Sequence, residues 1–257
     1  MKRTWMTAAY AALFSCLCAA APAAAFELGA RGLYWFPSLT ADIKVDDGGV
    51  AGDKINLKDT LGIEDESFPS FEVFLGHKRH RLTVAYTPVS YSGATMLNQK
   101  IVFNGQTFTA NTPVNSSLDL RMLDADYRYA FLDAENGVAG FSLGLILQVK
   151  FIDGEAKIHA PSLQTGSDFS FQVPLPMLGL GAHVGLLSDI LALRAKATGI
   201  AYSGNYLYEA QADLSFTPFP FVDIHGGYKV IRLKIDYDDL LLDSQFTGPY
   251  VGLAVSF

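Results

Sequence analysis

The chain has 257 residues, half of them hydrophobic, and a formal net charge of −7. An acidic chain with no basic stripe argues against a nucleic-acid partner. After the N-terminal segment no run approaches the roughly eighteen apolar residues of a membrane helix, so the apolar surplus is spread over another kind of element.

Residues 1–25 read as a cleaved signal peptide. Lys2 and Arg3 precede an apolar stretch, and Ala23-Ala24-Ala25 offers a small-residue cleavage site before Phe26. The rival, a lipoprotein start at Leu13-Phe14-Ser15-Cys16, is disfavoured by Phe14 and by the apolar residues after Cys16. Both cysteines, Cys16 and Cys18, leave with the signal, and so do two of the 19 basic residues. That leaves 17 bases against 26 acids and no disulfide in an exported chain.

From Phe26 onward the hydrophobic period is two. Phe26, Leu28, Ala30, Tyr34 and Phe36 oppose Glu27, Gly29, Arg31 and Trp35. In VAGFSLGLILQVKF, Leu143, Leu145, Leu147, Val149 and Phe151 form an apolar face; Ser142, Gly144, Gln148 and Lys150 lie opposite. Ten such segments are predicted, at 26–37, 68–78, 81–92, 117–131, 138–151, 171–187, 190–202, 206–217, 221–234 and 246–257, with eight or twelve strands as alternatives. The links alternate: long polar loops at 38–67, 93–116, 152–170 and 235–245 and a tight turn at 203–205, against short links at 79–80, 132–137, 188–189 and 218–220. Long on one side and short on the other is the pattern of a closed antiparallel transmembrane β-barrel with extracellular loops and periplasmic turns. One domain, 26–257, is expected.

A sheet in a bilayer must close on itself to pair its backbone groups, so the last strand is expected to meet the first. Val251, Leu253, Val255 and Phe257 would face lipid, with Gly252, Ala254 and Ser256 inside. This ending resembles the C-terminal signature of outer-membrane barrels, which implies recognition by the barrel-assembly machinery. Two aromatic girdles are expected: Tyr34, Trp35, Phe36, Tyr202, Tyr206 and Tyr208 outside, and Tyr127, Tyr129, Phe131, Phe216, Phe219 and Phe221 near the inner turns.

The inward positions carry both signs of charge: Glu27, Arg31, Glu72, Arg81, Asp124, Asp126, Arg128, Lys150, Arg194, Lys196, Glu209, Asp213, Asp223 and Lys229. A barrel this narrow is filled by side chains or holds one small ligand, so these residues are expected to form an ion-paired lumen network. Asp223-Ile224-His225 has the spacing of an activating pair and resembles the Asp-x-His of omptin proteases. Here, however, it follows the inner turn at Pro218-Phe219-Pro220, not an outer rim. The two histidines of His77-Lys78-Arg79-His80-Arg81 have no acidic or thiol companion, which favours a solvated basic turn over a metal site. Loop acids such as Asp46, Asp47, Asp53, Asp59, Glu64, Asp65, Glu66, Asp236, Asp239 and Asp243 lack calcium-loop spacing. Residues 55–62 suggest one helical turn capped by Asn56.

The stretch from Ile55 to Gly62, through Phe71 and His80-Arg81-Leu82 to Tyr86, resembles small Gram-negative outer-membrane barrels related to the OmpA-barrel and OmpW-like groups. The resemblance implies an outer-membrane, non-enzymatic protein with a structural or surface-interaction role, or a narrow passage for small or apolar molecules. An outer-membrane hydrolase, protease or lipid-modifying, is the alternative. Expected partners are outer-membrane lipids, lipopolysaccharide and a small apolar ligand; no cofactor or metal is expected.

Overall fold

The computed structural model describes residues 26–47, 49–135, 139–187, 190–237 and 239–257. The expected signal segment with Cys16 and Cys18, parts of two inner links, and Asp238 lie outside the described residues.

Ten long antiparallel strands close into a barrel: β1 (Phe26–Trp35), β4 (Phe68–His77), β5 (His80–Met96), β8 (Pro113–Glu135), β9 (Ala139–Ala160), β10 (Thr165–Leu186), β11 (Leu191–Tyr202), β12 (Asn205–Phe219), β13 (Val222–Tyr237) and β14 (Leu240–Ser256). Closure is made by β14 on β1, from Gly29↔Ser256 to Trp35↔Tyr250. β2 (Ser38–Val45) resumes the line of β1 and pairs with the outer part of β14, and β3 (Ile55–Asn56) pairs with β2. The step at Phe36-Pro37 needs Gly248 on the facing strand, where a Cβ would lie 2.0 Å from the Phe36 carbonyl.

Strand length is the main departure from the expected layout. β8 has 23 residues, β9 and β10 have 22 each, about twice what a tilted strand needs to cross a bilayer. The expected loops at 93–116, 152–170 and 235–245 are therefore mostly strand, continuing the barrel wall into water. What remains of them is the hairpin of β6 (Ile101–Phe103) and β7 (Gln106–Phe108), a 3-10 turn at Pro161–Leu163, and the tip near Asp239.

The solvent that each strand meets changes along its length, and the sequence changes with it. On β9 the outward residues Leu145, Leu147, Val149 and Phe151 are exposed and apolar, then give way to Asp153, Glu155, Lys157 and His159. The inward residues switch at the same level in the opposite sense, from Gln148 and Lys150 to Ile152, Ala156, Ile158 and Ala160. On β8, Asp124 is followed inward by Met122, Leu120 and Leu118, while Leu123 is followed outward by Arg121 and Asp119. Lipid demands an apolar outside; above it, water demands a polar outside and the interior buries apolar surface instead.

The outer half of the lumen is therefore a hydrophobic core. It is completed by the first loop, through Leu39, Ile43, Val45, Ile55 and Ile63, and by α1 (Leu57–Leu61). Asn56 caps α1 by accepting from the Lys58 and Asp59 amides, 3.1 and 2.9 Å, and Gly62 ends it at φ 67°. The β6–β7 hairpin adds Ile101, Phe103 and Phe108, all buried. Each such side chain contributes about 1.5–3 kcal/mol relative to exposure, so the loops are packed in as a cork.

The wall has a notch beside β10. β10 pairs with β9 along its whole length, but with β11 only from Leu178↔Gly199 inward. Between Thr165 and Met177, β10 has a strand on one side only. Pro174 and Pro176 lie on this stretch, still in register with Phe151 and Val149. A proline cannot donate to a ladder, so both nitrogens, two residues apart, face the unpaired edge.

Candidate functional site: the charged lumen

Below the cork the lumen holds charged residues of both signs. Their centre is Lys150, fully buried, which lies 2.6 Å from Asp124 and 3.0 Å from Glu209. Lys196 bonds Asp126 and lies 3.7 Å from Glu209, and Lys229 is 3.5 Å from Glu209. Three lysines thus face three carboxylates. Gln148 donates to Asp124, 2.9 Å, and accepts from Thr198, so the uncharged members of the layer are also bonded. Five strands, β8, β9, β11, β12 and β13, supply this layer, each through an inward position. Mutual neutralisation is what allows so many charges in so little space.

A second layer is built on Arg194, which donates to Asp213 at 3.0 Å and to His225 Nδ1 at 3.0 Å. A guanidinium only donates, so Nδ1 accepts. Tyr250 donates to the other oxygen of Asp213, 3.0 Å. Nearer β1, Arg31 pairs with Glu72 at 3.1 Å and Arg81 with Glu27. A cavity of about 230 Å³, walled by these groups, is the residual space of the inner lumen.

The hydrogen bonds of Asp223 and His225 go elsewhere: Asp223 accepts from Thr217 and His225 from Arg194. A hydrolytic dyad has no support in that arrangement. The two histidines of the basic turn are spent on aromatic rings, His77 stacked on Phe26 at 4.3 Å and His80 bonded to Tyr127 at 2.6 Å. No group of three or more candidate metal ligands occurs among the described residues.

Of the girdle residues, Tyr34, Phe36, Tyr202 and Tyr208 point outward on one side, and Tyr127, Tyr129, Phe131, Phe216, Phe219 and Phe221 on the other. Trp35 corrects the expectation. It sits on the inward parity, 2 % exposed, and its Nε1 donates to the Gly248 carbonyl at 3.3 Å. Val251, Leu253, Val255 and Phe257 are exposed on the outer face, and Phe257 stacks on Phe221 at 5.5 Å. The apolar cork is what sequence reasoning missed, because its residues were assigned to polar loops; the continued alternation Ile152, Ala156, Ile158, Ala160 was the available signal.

No protein-family model matches the chain, and no curated protein matches it. Among solved structures it is similar to Ail, the attachment invasion locus protein of Yersinia pestis, in complex with the heparin analogue sucrose octasulfate, at 12 % identity and TM-score 0.38, over 90 % of this chain and 99 % of that one. It is also similar to Neisserial surface protein A, at 14 % and 0.32 over 90 % and 97 %. A third is the P. putida toluene transporter TodX, at 9 % and 0.30 over 92 % and 90 %. The closed barrel stands on this chain's own strand pairing and its belt of exposed apolar residues, which together make it an outer-membrane-type β-barrel.

Proposed function

We propose that this chain is a non-enzymatic outer-membrane barrel with a closed lumen, whose work is done on its outer, water-facing extension. The observation that carries the reading is the two-level closure, an apolar cork above a neutralised ion layer. Opening it to solutes would expose the cork or break buried ion pairs, either at several kcal/mol. The extension, in contrast, is strand-built and acidic. Asp59, Glu64, Glu66, Asp168, Asp236 and Asp239 are exposed on it and carry no salt bridge among the described residues. Such a rim favours partners with basic groups. The aromatic-bounded belt fits a bilayer of outer-membrane lipid and lipopolysaccharide, and the Val251–Phe257 face suits reading by the assembly machinery.

Liposome swelling with a pentose tests the closure: barrel-containing vesicles swell at the rate of empty ones, and faster swelling overturns the reading. A Lys-rich peptide tests the rim; it binds the folded barrel and weakens for D59N/E64Q/E66Q, whereas unchanged binding removes the surface role.

The notch favours a second reading, sideways entry of a small apolar molecule. Phe169, Phe171, Leu175 and Ile200 are only partly buried there and pack against the core. Binding of a small aromatic fluorophore, lost in L175K, supports it; equal binding by both proteins removes it.

A further inference from the structure

Arg128 stands apart from the ion pairs of the lumen. Arg31, Arg81, Lys150, Arg194, Lys196 and Lys229 each have a carboxylate within 4.0 Å. Arg128 has none among the described residues; its one side-chain partner is the Ser142 hydroxyl, to which Nη2 donates at 2.8 Å. Its Nε is buried without any acceptor. A guanidinium left half-satisfied beside water is an anion receptor by composition, because it is always charged and its planar fork matches two oxygens of a phosphate or carboxylate.

The wall around it is shaped for that side chain. Gly144 on β9 and Gly181 on β10 are register partners and face the lumen. A Cβ at Gly144 would lie 2.6 Å from Arg128 Nε, and one at Gly181 would lie 3.2 Å from it. Two facing glycines thus clear a floor on which the arginine lies. Arg128 borders both the inner-lumen cavity and a second one, of about 280 Å³, at the inner mouth. Lys78, Arg79 and Arg81 line that mouth as well, against Glu27 and Asp133. Glu27 is already paired with Arg81. In a chain that is acidic overall, this mouth keeps a surplus of positive charge, which draws anions inward from the periplasmic side.

We propose that the inner mouth of the barrel binds a small oxyanion, a phosphate or a carboxylate group, with Arg128 as its principal ligand and the Lys78-Arg79 turn as its rim. The site is open to the periplasmic side and lies below the ion layer, so it works as a docking point and not as a step in passage.

Isothermal titration of the detergent-folded barrel in low-chloride buffer at pH 7, with inorganic phosphate and separately with acetate, tests this. Millimolar binding of at least one is expected, at least about tenfold weaker in R128Q. Binding of phosphate well above acetate assigns a phosphate source; comparable acetate binding assigns a carboxylate, such as that of a peptide or cell-wall strand. K78N/R79Q, changed only on an exposed turn, keeps the test alive if R128Q folds poorly and is expected to weaken binding severalfold. Absence of heat with both anions, or affinities untouched in both variants, overturns the proposal.

Discussion

Phe257 and Leu28 hold each other by both backbone groups: the Phe257 amide donates to the Leu28 carbonyl at 2.8 Å, and the Leu28 amide donates to the Phe257 carbonyl at 2.9 Å. The ring is thereby closed to its inner edge, with no backbone group on these residues left to lipid. The Phe257 ring also leans on Phe221, in the turn between β12 and β13.

Phe257→Ala keeps both backbone bonds and removes the ring contact. A loss of about 1 kcal/mol in folding stability is expected from the aromatic pair. Urea titration of the folded fraction in lipid, followed by gel mobility, checks it; an unchanged midpoint would show that the stacking contributes nothing.

Lys150→Met leaves Asp124 and Glu209 facing each other without their common cation. Removing one partner of a buried pair costs about 3–5 kcal/mol, so the variant is expected to refold poorly at neutral pH. Restoring stability with E209Q in the same chain is the matching outcome, and wild-type stability of K150M alone would contradict the ion layer as described.

Pro174 and Pro176 take two donors off the unpaired edge of β10. P174V/P176V adds two amides to that edge, and exposed edges invite strand addition. Light scattering in detergent should show a larger associated fraction than the parent; an identical mass distribution would mean the prolines do not guard the edge.

Asp65, in the first loop outside the membrane belt, ties the end of that loop back to the start of β2 and to α1. Burial alone would raise its pKa, but the Lys58 ammonium at 2.6 Å, the Leu39 amide at 2.8 Å and the Ser38 hydroxyl at 3.1 Å outweigh it and lower the value. A depressed carboxylate stabilises the fold above its unfolded pKa of about 3.9, and that contribution disappears as the pH falls through the lower folded value. Protease protection of residues 38–65 should therefore drop on acidification below about pH 4, and D65N should show the weaker protection at neutral pH with no further acid step.

Closure, strand number and the lumen charges were legible because lipid enforces a strict alternation wherever β-strands cross it. Leu145, Leu147 and Val149 against Ser142, Gln148 and Lys150 leave no other phase. The outer third was not legible by the same rule. There the strand keeps its period but exchanges its faces, so Asp153, Glu155 and Lys157 read as a polar loop although Ile152, Ala156 and Ile158 between them are buried. Trp35 was misplaced for a related reason: proximity to Tyr34 and Phe36 suggested a girdle, while its parity put it inside. The lone Arg128 could not be found without coordinates, because being unpaired depends on contacts from other strands.

Planar-bilayer conductance of the purified barrel tests the two-level closure most directly. A lumen filled by an apolar cork and a neutral ion layer gives no stable openings at moderate voltage and salt. Sustained, reproducible conductance steps from the unmodified protein would contradict it.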